Sequence, residues 1–116
     1  MKNLKTYCLA LDLVSDPNLI DEYKKQHQNV WPEIIESIKS SGIEQMEIYQ
    51  LENRLFMIIR ASESFDFSKK AKSDKKNPAV QKWENLMWQY QQAIPGSKPG
   101  EKWRLMDKIF DLKKAI

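Results

Sequence analysis

The chain carries one histidine, His27, with Tyr23 four residues before it and Trp31 four residues after it. Helical spacing would set these three rings along one side of "EYKKQHQNVWPEII". Imidazole is the only side chain whose ordinary pKa, about 6.5, lies near neutrality, so His27 can both give and take a proton. A tyrosine one turn away offers a hydrogen-bonding hydroxyl, and an indole offers a flat wall of the kind sugar rings stack against. Together they suit proton transfer on a small ligand. The same three rings also suit packing of a helix onto a sheet. On spacing alone packing is the better reading, because aromatic stripes on amphipathic helices usually face a core.

Other residues pose the same choice. Four tryptophans are many for 116 residues. Trp83 shares a helix side with Val80 and Met87, so core is its default role, while Glu84 beside it projects along the flank, where water is the simplest partner. Met46 and Tyr49 stand on opposite faces of one strand; one face meets the helices and the other meets whatever covers the sheet. No phosphate-cradling glycine loop, paired-cysteine site or nucleophile elbow is present.

Composition narrows the field further. Hydrophobic residues make up 41% and charged residues 30%, as in a soluble globular protein, and 116 residues suffice for one domain with a single core. No apolar run approaches the roughly 20 residues of a membrane-spanning helix. "MKNLKTYCLALDL" reads as a strand rather than a signal peptide. Cys8 is alone, so no disulfide framework exists within the chain and a reducing cytoplasm is the expected setting. With one Cys and one His, no ligand spacing suggests a metal site. The net charge of +3 arises from 19 basic and 16 acidic residues that are interspersed. The densest basic run, "KKAKSDKK", reads as a solvated helix face, and no nucleic-acid partner is expected.

The elements that must position His27 follow from periodicity. "KTYCLALDLV" alternates as a first strand. Asp16 and Pro17 supply a cap and a first helical residue for "LIDEYKKQHQ", and Pro32 restarts the helix through "EIIESIKSSG", with Ile34, Ile35 and Ile38 inward and Gly42 as the stop. "IEQMEIYQL" and "LFMIIRA" are the second and third strands, joined tightly through Glu52–Arg54. The third is apolar on both faces, which calls for a cover on the side away from the helices, most simply a second subunit. A helical region begins near Phe65, and Asn77 and Pro78 open a helix "AVQKWENLMWQYQQ". "IPGSKPG" breaks the pattern, and "EKWRLMDKIFDL" reads as a last strand. The order β-α-β-β-α-β predicts an α+β, ferredoxin-like fold: an antiparallel sheet with helices on one face.

"EYKKQHQNVWPEI", "MEIYQLENRLFMII", "NPAVQKWENLM" and "WRLMDKIFDL" resemble, in order and spacing, the L-rhamnose mutarotase family over nearly the whole chain. The most specific element is Tyr23-x-x-x-His27-x-x-x-Trp31-Pro32-Glu33. The resemblance implies a dimeric ferredoxin-like fold and a cofactor-free interconversion of the α and β anomers of a 6-deoxyhexose. It implies that His27 is the proton donor, that Tyr23 contacts the sugar and that Trp83 lines the pocket. Enterobacterial members carry Tyr where this chain has Met46, and a second Trp where it has Glu84, so the chemistry carries over better than the sugar identity. The expected site is therefore catalytic His27 with Tyr23, Trp31, Met46, Tyr49, Trp83 and Glu84 on the substrate. L-Rhamnose is the first substrate to consider and L-fucose the close alternative. Two rivals are a dimeric module that only binds a small ligand and a cofactor-independent monooxygenase of the same fold.

Overall fold

The computed structural model describes residues 3–115. Strand β1 (Lys5–Leu13) pairs antiparallel with β3 (Arg54–Ala61), which pairs antiparallel with β2 (Ile43–Leu51). The other edge of β1 holds two short strands, β4 (Gln91–Gln92) and β5 (Arg104–Leu105), so the sheet order is β2-β3-β1-β4 with β5 beside β1. This is the expected ferredoxin-like α+β arrangement.

Alternation along the strands decides which side chains meet the helices. On β3, Leu55, Met57, Ile59 and Ala61 are buried, while Phe56 and Ile58 on the opposite face are only half-buried. Leu9, Leu11 and Leu13 of β1 complete the buried side. Asp12, on the other face, is buried against Arg54, its cross-strand partner. Tyr49 and Leu51 of β2 are exposed on that outward face.

The helices start where caps and prolines place them. Asp16 accepts from the backbone N–H groups of Asn18 and Leu19 to open α1 (Pro17–Gln26), and Asn77 does the same for Ala79 and Val80 at α4 (Pro78–Trp88). Pro32 restarts the chain as α2 (Pro32–Ser40), and Gly42, at φ 102°, follows that helix in the left-handed region open to glycine. Asp66 caps α3 (Phe67–Lys75), which carries the basic run as a mainly exposed face.

Three expectations are corrected. The helical pattern through Gln92 overruns α4: the chain leaves the helix at Trp88, and Gln91 pairs with Leu13 as a strand. Ladder hydrogen bonding to β1 outweighs a polar, weakly periodic "QYQQ" here. The last strand is two residues long rather than the length of "EKWRLMDKIFDL". After the Met106 N–H donates to the Cys8 carbonyl, the chain departs from the sheet, with Ile109, Phe110 and Leu112 exposed. Ile35, expected inward, is 39% exposed at the rim of α2.

Candidate active site

His27 sits at the end of α1 rather than within it. Its backbone N–H donates to the Tyr23 carbonyl at 3.3 Å, and its ring Nδ1 lies 2.9 Å from the same oxygen. A carbonyl only accepts, so Nδ1 carries a hydrogen and donates it. The ring is thereby fixed, and the nitrogen left to exchange a proton is Nε2.

Tyr23 is buried beneath His27, with ring centroids 4.4 Å apart. Tyr90 meets its ring at 6.1 Å, and the Gln91 side-chain N–H donates to its hydroxyl oxygen at 3.4 Å. Burial pushes the phenol up to about 12, only partly opposed by the Gln91 hydrogen bond. Tyr23 therefore remains a neutral phenol throughout the neutral pH range.

Trp83 arrives from α4, buried, with its ring edge-on to His27 at 5.7 Å and to Trp31 at 5.1 Å. Edge-to-face contacts of this kind hold aromatic rings in fixed orientations. Together these residues wall part of a cavity of about 980 Å³ between the helices and the sheet. Met46, Ile48 and Met57 line it from the strands, and Glu84 and Met87 from α4. Gln91 reaches it from β4, and Gly100, Lys102 and Trp103 from the segment leading into β5. An apolar hollow with a few converging polar groups is what a small-molecule site requires.

The structure thus brings His27, Tyr23, Met46, Trp83 and Glu84 to one cavity. It does not bring Trp31 or Tyr49 there. The chain turns out of the helix at His27, so Trp31 no longer continues the helical stripe; it packs behind Trp83 and borders a separate groove with Pro32, Glu33, Pro78, Ala79 and Lys82. Tyr49 occupies the outward face of β2, 53% exposed, with its hydroxyl donating to Glu47 at 3.3 Å. Both are corrected as direct cavity contacts, Trp31 by the helix end and Tyr49 by strand alternation.

Sequence reading missed Gln91, Lys102 and Trp103 as lining residues. Gln91 was hidden by an extrapolated helix, and Trp103 by a strand that forms only after it. The one available signal was the glycine- and proline-rich segment before "EKWR", which had to bring the chain back across the sheet edge. Lys102 secures that segment by placing its ammonium 5.2 Å above the ring of Trp88.

An imidazole, a neutral phenol and an indole around a cavity with room for a small molecule agree with what comparison of the whole chain shows. The sequence profile of L-rhamnose mutarotases matches residues 6–112. The chain belongs to the L-rhamnose mutarotase family. A protein of Xanthomonas campestris pv. campestris named L-fucose mutarotase is 41% identical over 116 residues, an alignment covering 98% of this chain and 93% of that one. The L-rhamnose mutarotase of Burkholderia ambifaria is 24% identical over 97 residues, covering 78% and 89% of the two chains. The crystal structure of an L-rhamnose mutarotase from Formosa agariphila superposes with a TM-score of 0.68 at 21% identity, covering 93% of this chain and 98% of that one. At that identity the superposition establishes the mutarotase fold. Mutarotases are carbohydrate isomerases, and the binding-only and oxygenase readings give way.

Proposed function

We propose that this mutarotase exchanges the α and β anomers of a 6-deoxyhexose pyranose, with His27 moving the proton at the ring oxygen. The observation that carries the reading is the hydrogen bond from His27 Nδ1 to the Tyr23 carbonyl at 2.9 Å, at the wall of the cavity. It commits one ring nitrogen to the backbone and leaves Nε2 for the sugar.

Mutarotation puts a proton on the ring oxygen as another leaves the anomeric hydroxyl. The C1–O5 bond breaks, the aldehyde turns about C1–C2, and O5 adds to the other face of C1. As imidazolium, His27 gives the Nε2 proton to O5 while the ring opens, and neutral Nε2 takes it back on closure. Tyr23 cannot be the base, because its phenol holds its proton up to about pH 12; it binds a sugar oxygen instead. Glu84, a carboxylate that lines the same cavity from the helix that carries Trp83, takes the anomeric proton and returns it. Positioned acid–base groups of this sort typically contribute about 10²–10⁴-fold. The Trp83 indole supports the sugar ring, and Met46, Ile48 and Met57 offer an apolar seat for the C6 methyl group.

L-Fucose and L-rhamnose differ in configuration at C2 and C4, so the residues that read those hydroxyls decide between them. We take L-fucose as the better substrate, supported by the 41% identity to the Xanthomonas protein and by the presence of the Glu84 carboxylate on the cavity wall; L-rhamnose is the second. Saturation-transfer NMR on each sugar measures anomer exchange directly. Faster exchange for L-fucose supports the assignment, faster exchange for L-rhamnose reverses the order, and no acceleration of either defeats the reading.

A second copy of the chain is the proposed cover for the outward face. That face combines half-buried Phe56 and Ile58 with exposed Tyr49 and Leu51. The segment beyond β5 adds Met106, Ile109, Phe110 and Leu112, all exposed. Exposed apolar surface on this scale marks an association site. The proposed setting is the cytoplasm, supported by the lone thiol of Cys8; among the described residues no helix is long and apolar enough to cross a membrane.

A further inference from the structure

Two polar residues are buried among the described ones, Asp12 and Gln91. A buried polar group costs free energy unless it is partnered, so each needs a reason to be where it is. Asp12 is met by Arg54 across the outward face. Gln91 lies on the cavity side, 8% exposed, and the side-chain partner it meets there is the Tyr23 hydroxyl at 3.4 Å. That distance is at the long limit for a hydrogen bond, as unliganded active sites often show before a ligand tightens them.

The backbone around Gln91 is fixed from two sides. Gln91 pairs with Leu13 of β1, and the Val14 N–H donates to the Tyr90 carbonyl at 2.8 Å. The ring of Tyr23 is equally constrained, between Tyr90 at 6.1 Å and His27 at 4.4 Å. What remains free is the rotation of the phenolic O–H, and Gln91 is placed to set it.

We infer that Gln91 is a positioning residue for Tyr23: its carboxamide N–H occupies the phenol oxygen, so the phenol's own hydrogen points into the cavity and donates to a sugar oxygen. The opposite polarity, phenol donating to the carboxamide oxygen, would turn that hydrogen away from the sugar. The inference rests on the mutarotase reading and deepens it: Tyr23 serves as a donor, and the substrate atom it holds is a hydroxyl or ring oxygen acting as acceptor.

The test is a double-mutant cycle on L-fucose anomer exchange, read as kcat and KM separately. Gln91→Met removes the carboxamide at similar volume, Gln91→Leu is the second apolar choice, and circular dichroism selects the folded variant. The expected result is a loss of about tenfold in kcat/KM, the worth of one directed hydrogen bond, carried mainly by KM. In a Tyr23→Phe background the same substitution should change nothing further. Gln91→Glu keeps a hydrogen bond but makes residue 91 the acceptor, and it should lose at least as much as Gln91→Met. Equal losses with and without the Tyr23 hydroxyl, or full rescue by Gln91→Glu, would show a packing role and overturn the inference. So would unchanged exchange in the apolar variants. Absence of exchange in the wild-type protein with both L-fucose and L-rhamnose would instead overturn the mutarotase reading, and this inference with it.

Discussion

The two faces of the sheet are made from alternate residues of the same strands, yet they hold different things. Under the helices, Leu9, Leu55, Met57 and Ile59 are buried, and the cavity opens among them beside His27, Tyr23 and Gln91. On the outward face, Phe56 and Ile58 are apolar too; Glu47, Tyr49 and Arg60 are open to water to differing degrees, and the buried carboxylate of Asp12 is closed off by Arg54. Apolar character alone therefore does not mark the site. The deciding difference is polar groups held in fixed geometry at a cavity, where each hydrogen bond and each charge is worth more than in water, whereas Asp12 is engaged by Arg54 and does not line that cavity.

The largest expected effect breaks the inner face. Trp83→Ala removes a buried indole that meets both His27 and Trp31, and it should destabilise the fold by about 3–5 kcal/mol, measured by urea unfolding. Leu51→Ala on the outward face should change the stability of a single subunit by less than about 0.5 kcal/mol. Comparable losses from both would erase the contrast between the faces.

The second effect is alkaline. The Tyr23 phenol titrates near 10.0 when unfolded and about 12 when folded. Its raised folded pKa contributes stability that is fully present below pH 10 and is lost as pH rises towards 12, because the unfolded chain ionises first. Two pKa units correspond to about 2–3 kcal/mol. Urea unfolding of the wild type and of Tyr23→Phe across that window should differ by this slope; parallel curves would mean the phenol is not buried as described.

Smaller effects belong to the outward face. Leu51→Glu puts a charge at the proposed contact between copies and should weaken self-association by about tenfold or more, read by sedimentation. Least of all, Tyr49→Phe deletes one exposed hydrogen bond to Glu47 and should leave anomer exchange within about twofold of wild type. A large loss there would return Tyr49 to the substrate, through a second subunit.

Much of this contrast was legible in the sequence, though not its orientation. Strand alternation showed that "LFMIIRA" is apolar on both faces and that Met46 opposes Tyr49. A period of two is symmetric, however, and it cannot say which face receives the helices. The landing of α2 and α4 decides that, placing Met46 in the cavity and Tyr49 outside it. Helical spacing found Tyr23 and His27 because the first turn after α1 keeps the i to i+4 contact. It misplaced Trp31 because the helix stops at Gln26, five residues before Trp31 caps α2. Gln91 was invisible for a longer-range reason: its place depends on pairing with Leu13, far away in sequence, and local periodicity argued for helix.

The most direct test is anomer exchange by saturation-transfer NMR with His27→Ala, a variant that leaves Tyr23, Trp83 and Glu84 in place. The expected result is a fall of about 10²–10⁴-fold in the catalysed rate, with native circular dichroism. A folded His27→Ala protein that exchanges L-fucose and L-rhamnose anomers at the wild-type rate would contradict the assignment of His27 as the proton carrier.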